Sequence, residues 1–237
     1  MSLEIKKGVF FLDKPYYINS NKSIKIIQQY MELKKIGYSG TLDPIATGLL
    51  PVLINKATCL SDTIVEKKKS YTVNFSLLKI TDTFDSDGSL LKKKEIFNSN
   101  FFLKKIIDIG SIFVGKILQT PPVYSSIKYK GKNLYQYARY CLETKIKKRQ
   151  VKIYSITIIK LKKDNVTLSI ICSKGTYIRS LVSDIGYILG HGAYISNLER
   201  IKIGLYNKQD IINFNQFKII QKYNKKKYIK YFLYKFK

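Results

Sequence analysis

Residues 149–190 read "RQVKIYSITIIKLKKDNVTLSIICSKGTYIRSLVSDIGYILG". Two stretches of alternating apolar and polar residues flank "KKDN" (162–165), the period of a half-buried strand on either side of a turn. Asp and Asn supply the turn chemistry. After "CSKGTYIRS" (172–180) the apolar spacing lengthens and predicts a helix from Ile178 to Leu189. A strand hairpin followed directly by a helix points to an antiparallel sheet rather than to repeated strand–helix–strand crossovers.

The rest of the chain repeats that mixture. "GVFFLDKP" predicts a buried strand over Val9–Leu12, stopped by Pro15. "NSNKSIKIIQQYMELKKIG" predicts a helix capped by Ser20 or Asn21, with Ile24, Ile27 and Met31 on one face and Gly37 at its end. A further strand is expected over Ser70–Ile80, followed by the acidic turn "TDTFDSDGSLL". A helix is expected over Asn100–Ile109. An extended segment at Pro121 and Pro122 leads into the helix "LYQYARYCLE", and "ISNLERIKIG" predicts a short return strand. The expectation is one α+β domain over residues 1–220, with a mixed, largely antiparallel sheet flanked by helices. A Lys- and Tyr-rich basic tail follows over 221–237.

Composition narrows the function. The chain has 237 residues, 45% apolar and 25% charged, which suits a folded protein with a real core. Lys and Arg number 43 against 16 Asp and Glu, a formal net charge of +27 that favours a polyanionic partner. Cys59, Cys141 and Cys172 form no CxxC pair, so neither a zinc knuckle nor a disulfide framework is indicated, and a reducing cytoplasm fits. With His191 the single histidine, a His-rich metal site is excluded. "DSDG" has the spacing of a calcium loop, but Lys94 falls where that loop needs a bidentate Glu, so calcium is rejected. No apolar run is long enough to span a bilayer.

Against this basic background, "GYSGTLDPIATGLLP" (37–51) holds one acid, Asp43, and no basic residue. Gly, Ser, Thr, Asp and Pro make it a stiff loop built to present one group. No phosphate-binding loop, GxGxxG or nucleophile–base pair is present, which leaves an isolated carboxylate as the centre of the chemistry. A buried Asp43 needs a partner, and Arg179 in "KGTYIRS" offers a guanidinium. "YSSIKYKGKNLYQYAR" (124–139) interleaves Lys128, Lys130, Lys132 and Arg139 with tyrosines, a mixture suited to phosphate contact and base stacking or to a solvated basic hairpin.

Six separated motifs in order resemble those of the TruB family of tRNA pseudouridine synthases over roughly residues 8–205. They are "GVFFLDKP", "GYSGTLDPIATGLLP", "KKSYTV", "TDTFDSDG", "QTPPVYSSIKYKGKNLYQYAR" and "CSKGTYIRSL". The resemblance implies a pseudouridine-synthase fold and isomerisation of uridine 55 in the T loop of tRNA, with no cofactor and no metal. It implies that Asp43 is the essential aspartate, acting as nucleophile. Tyr71 packs on the target base and Arg179 pairs with Asp43. Tyr177 and Leu198 line the uridine pocket, and Asp85 is a supporting acid. Lys14 belongs to the Lys-Pro motif and, with the basic block, is expected on the RNA side. A monomer acting on the T-arm stem-loop, away from membranes, follows.

Departures accompany the resemblance. Tyr38 stands where the family has histidine, and from there it is expected to stack on RNA. Ser39 stands for threonine, Tyr16 and Tyr17 replace the region of a usual glycine, and Cys59 stands for lysine. A C-terminal PUA domain, common in relatives, is not expected. A non-catalytic tRNA-binding chaperone is the alternative that the same features allow.

Overall fold

The computed structural model of the chain describes residues 7–93, 105–140, 142 and 144–217. The expected tail over 221–237 and residues 100–104 of the expected helix over 100–109 lie outside these residues. The elements run β1 (Lys7–Lys14), α1 (Ser20–Met31), β2 (Ile36–Tyr38), β3 (Ala46–Asn55), α2 (Ser61–Val65), β4 (Lys69–Leu77), β5 (Lys79–Thr81) and β6 (Leu90–Lys93). They continue with α3 (Ile109–Phe113), β7 (Gly115–Gln119), β8 (Lys128–Tyr129), β9 (Lys132–Asn133), α4 (Leu134–Arg139), β10 (Arg149–Lys162) and β11 (Asn165–Cys172). Last come α5 (Ile178–Ile188), β12 (Ala193–Ile203), β13 (Tyr206–Asn207) and β14 (Ile211–Ile212).

The chain divides into two compact units, residues 1–71 with 199–237, and residues 72–198. In the first, the strand order is β14-β1-β3-β12, with β2 on β3 and β13 on β12. Strand β1 runs antiparallel to β3, from Lys7 opposite Asn55 to Lys14 opposite Gly48, and parallel to β14. Alternate residues of a strand share a face. Val9 and Phe11 therefore pack with Leu49, Leu53 and Ile203, and with Ala57 and Ile64 beyond β3. In the second unit the order is β12-β4-β11-β10-β7, accompanied by the hairpins β5-β6 and β8-β9. Strand β11 buries every second residue, Val166, Leu168, Ile170 and Cys172. Helix α5 buries Ile178, Leu181, Val182 and Ile185, the spacing of one helical stripe. Gly186 lets that helix sit close, because a Cβ there would collide with the backbone of Gly192 and Ala193. The architecture is α+β with mostly antiparallel pairing.

Some boundaries differ from the sequence expectation. Helix α1 ends at Met31, where Glu32 takes a left-handed conformation (φ 51°) and Leu33 donates back to the Gln28 carbonyl. Gly37 instead belongs to β2. The cap is Asn19, whose side chain accepts from the Lys22 amide at 2.7 Å. The strand expected over 70–80 is broken at Leu78, which has positive φ (70°). The "short" return strand is eleven residues long, Ala193–Ile203. Among the described residues no helix is long and apolar enough to cross a membrane.

Candidate active site

Asp43 opens a tight turn. The Ala46 amide donates to the Asp43 carbonyl at 3.0 Å, and Pro44 fills the second turn position, where its fixed φ is an asset. Leu42 and Ile45 on either side are buried, so the two aliphatic neighbours hold the turn down while Asp43 itself stays half-exposed.

Three buried polar side chains hold this loop by its backbone. The Ser20 hydroxyl donates to the Leu42 carbonyl at 2.9 Å and accepts from the Leu42 amide at 3.0 Å. Ser20, expected as a helix cap, is thus turned toward the acid's loop. The Lys14 ammonium donates to the carbonyls of Pro15 (2.8 Å), Ile18 (2.6 Å) and Pro44 (3.0 Å). The Arg200 guanidinium donates from Nε to the Leu49 carbonyl and from Nη2 to the Gly40 carbonyl, each at 2.8 Å. Gly48 has positive φ (90°), and a Cβ there would collide with the Arg200 carbonyl oxygen.

Lys14, expected on the RNA side, is 0% exposed, and all three of its ammonium hydrogens serve carbonyls. Burial pushes its pKa down to about 8. The Asp43 carboxylate opposes that shift, the Arg200 guanidinium adds to it, and Asp13 opposes it weakly. Lys14 is therefore both an anchor for the loop and a charge felt by Asp43. Tyr38 is half-buried in β2 opposite Val52, and the next residue, Ser39, is buried and donates to the Ser61 carbonyl at 2.8 Å. Tyr71 is buried at the third position of β4. Just before it, the buried Lys69 ammonium donates to the carbonyls of Val65 and Lys67, tying the strand to the end of α2.

The second unit carries Arg179, Asp85, Tyr177 and Leu198. Arg179 sits in the first turn of α5 and is buried. Its guanidinium lies 3.4 Å from Asp85 Oδ2 and donates to the carbonyls of Thr83 (3.2 Å) and Tyr124 (2.8 Å). Asp85 is held in turn by the Thr83 hydroxyl at 2.6 Å and the Asp87 amide at 3.1 Å. Tyr177, at the N-cap position of α5, is fixed through its backbone by Gln119. The Gln119 amide donates to the Tyr177 carbonyl at 3.0 Å and accepts from its N–H at 2.8 Å. Leu198 is buried in β12.

Lys128, Lys130 and Lys132 are exposed on the β8-β9 hairpin, and Arg139 is exposed at the end of α4. Lys130 and Gly131 both have positive φ (45° and 82°), the pair of left-handed residues that a two-residue hairpin turn requires. Lys130 lies 5.7 Å from the centre of the Tyr129 ring, and Arg139 lies 5.5 Å from that of Tyr135.

Sequence reasoning missed Ser20, Arg200, Gln119 and Lys69 as parts of the site. Each acts through backbone groups that are distant in sequence or belong to another element. For Ser20 and Arg200 the one available signal is the need of a stiff glycine-containing loop for external hydrogen-bond partners.

The family model for the N-terminal domain of TruB family pseudouridylate synthases matches residues 28–178. That for the C-terminal domain of tRNA pseudouridylate synthase B matches residues 179–234. The tRNA pseudouridine synthase B of Blochmanniella pennsylvanica is 41% identical over 206 residues, covering 87% of this chain and 78% of the relative. That of Clostridium perfringens is 42% identical over 207 residues, covering 87% and 70%. Among solved structures, a chain of a Cbf5-Nop10-Gar1 complex superposes with a TM-score of 0.71 at 26% identity, over 96% of this chain and 59% of that one. A chain of an H/ACA RNP bound to a substrate RNA containing 2′-deoxyuridine shares the fold, with a TM-score of 0.70 at 24% identity, over 97% and 59%. The chain belongs to the TruB family of pseudouridylate synthases.

Proposed function

We propose that this chain isomerises uridine to pseudouridine at position 55, in the T loop of tRNA, with Asp43 as the catalytic carboxylate. The observation that carries the reading is the mount of Asp43. A half-exposed acid stands on a turn whose backbone is held by buried Ser20, Lys14 and Arg200. Membership of the TruB family supplies the reaction class, and the relatives' name, tRNA pseudouridine synthase B, supplies the substrate.

The reaction breaks the N1–C1′ bond, turns the base and forms C5–C1′. The proton on C5 is lost and one is gained at N1. No electrons are exchanged, so acid, base and nucleophilic side chains suffice. One carboxylate serves whether it adds to the base, attacks C1′ or removes the C2′ proton. The uridine must first leave its stack, at a cost of a few kcal/mol. In this reading Tyr71 recovers part of that by packing on the base, and Tyr177 and Leu198 line the pocket. In the same reading Arg179 is the ion-pair partner of the Asp43 carboxylate, Asp85 is a supporting acid, and Tyr38 stacks on RNA. Lys128, Lys130, Lys132 and Arg139 draw in the phosphates, helped by the basic tail over 221–237. Residues 1–220 form the catalytic domain, which works as a monomer in the cytoplasm on the T arm.

The test is tritium release from C5-labelled uridine in tRNA. Wild-type protein releases tritium, and Asp43→Asn binds tRNA but releases none. Undiminished release by that variant overturns the role of Asp43. A wild-type protein that binds tRNA without any release is the non-catalytic chaperone.

A further inference from the structure

We infer that Arg200 is a positioning residue for Asp43, its guanidinium setting the span of the loop by bridging the carbonyls of Gly40 and Leu49. This rests on the reading of Asp43 as the catalytic carboxylate. Arg200 is 2% exposed and stands on β12, 160 residues from Gly40 and 151 from Leu49. The two carbonyls bracket the segment that carries Asp43, and the donors that reach them, Nε and Nη2, belong to one rigid plane. A planar fork with both prongs engaged fixes the separation of its acceptors, which a single flexible ammonium does not.

The loop is shaped to admit this fork. Gly40 has positive φ (68°), and a Cβ there would come within 3.3 Å of Nη1. At the other end Gly48 leaves room for the Arg200 carbonyl itself. The side chain and the backbone of one residue thus meet both ends of the loop. Both hydrogen bonds go to carbonyls rather than to a carboxylate. Burying a guanidinium on neutral acceptors is expensive, and an apolar residue would serve if filling space were the only need.

The charge has a second effect. Lys14, which holds the middle of the same loop, faces Asp43, Arg200 and Asp13, and of these Arg200 works against its protonation. Replacing Arg200 by a neutral residue therefore raises the pH at which Lys14 loses its proton, while a lysine at 200 leaves it in place.

The experiment compares Arg200→Lys, Arg200→Gln and Asp43→Asn in full-length protein, by steady-state tritium release and by tRNA binding. The expected result is a fall in kcat of roughly 10- to 100-fold in both Arg200 variants, the size of effect that follows from about 1 Å of misplacement. KM for tRNA should stay within about threefold of wild type, as for an interaction that acts on the transition state alone. The alkaline limb of the kcat–pH profile should shift upward in Arg200→Gln only. Wild-type kcat in Arg200→Lys overturns the inference. So does loss of tRNA binding in step with activity in both variants, the signature of a structural post. If Asp43→Asn is inactive while Arg200→Lys is not, the positioning role alone falls. If Asp43→Asn is active, the reading of the site falls with it.

Discussion

Arg179 Nη1 lies 3.4 Å from Asp85 Oδ2, with both side chains 5% exposed. The helix-start arginine is therefore not simply a free arm for substrate. It is clamped on one side by a carboxylate and on two others by the carbonyls of Thr83 and Tyr124. Removing one partner of a buried ion pair typically costs about 3–5 kcal/mol. Because two carbonyls still hold the guanidinium, Asp85→Ala should destabilise by about 3 kcal/mol, the lower end of that range, in urea unfolding. Asp85→Asn keeps a side chain able to accept from Thr83 and Asp87 and should lose less. Equal stability of Asp85→Ala and wild type would show that the pair carries no weight.

Gly48→Ala tests the far end of the Asp43 loop. The backbone there has φ +90°, a region that L residues rarely adopt, and the added methyl meets the Arg200 carbonyl. The neighbouring backbone is strand on both sides and cannot yield cheaply. The variant should lose at least about 2 kcal/mol of stability and most of its activity. Gly131→Ala, also at positive φ but with open space around it, should lose less than Gly48→Ala. Matching losses would mean that backbone conformation alone, and not the contact with Arg200, makes glycine necessary at 48.

The contrast between these positions explains what was legible in the sequence. Periodicity gave the β10-β11 hairpin and the stripe of α5, because both depend on residues close in the chain. Asp43 stood out because a lone acid in a glycine-containing loop is chemically conspicuous. Arg200 did not, because "NLERIKIG" reads as an ordinary amphipathic strand and its side chain serves carbonyls more than 150 residues away. Lys14, in the Lys-Pro motif, is expected on the RNA side together with the basic block, yet it is buried. Its burial is set by the three carbonyls that curl around it, which composition does not reveal. Helix α1 ended early for a local reason, a left-handed Glu32, that glycine-based stop signals do not report.

The depressed pKa of Lys14 gives opposite signs for stability and activity. The folded protein holds that proton up to about pH 8 and the unfolded chain up to about 10.5. Between those values the unfolded state binds more protons, so this group makes the protein more stable as pH rises through the window. Activity should move the other way. Above about pH 8 the amine is neutral, Asp43 loses a cationic neighbour, and the bond to the Pro44 carbonyl weakens. The expected outcome is a kcat that declines across pH 8 without a fall in melting temperature over the same range. In Lys14→Arg, whose side chain stays charged, the decline should vanish at whatever activity remains. A profile in which kcat and melting temperature fall together would assign the limb to unfolding instead.

The β8-β9 hairpin offers the cleanest separation of RNA contact from solvated charge. Its turn at Lys130 and Gly131 projects Lys128, Lys130 and Lys132 into water. Each phosphate contact to single-stranded or duplex RNA releases counterions, so affinity falls with salt in proportion to the number of contacts. Lys130→Ala should therefore weaken tRNA binding and make the slope of log K against log salt shallower by about 0.7–0.9. The stability of the hairpin should not suffer, since Gly131 keeps the turn and alanine removes only an exposed side chain. Lys174→Ala, an exposed lysine elsewhere in the same unit, serves as the control for general loss of charge. If both variants shift the slope equally, the hairpin acts only through the net field of the protein. If Lys130→Ala alone shifts it, the hairpin touches phosphate.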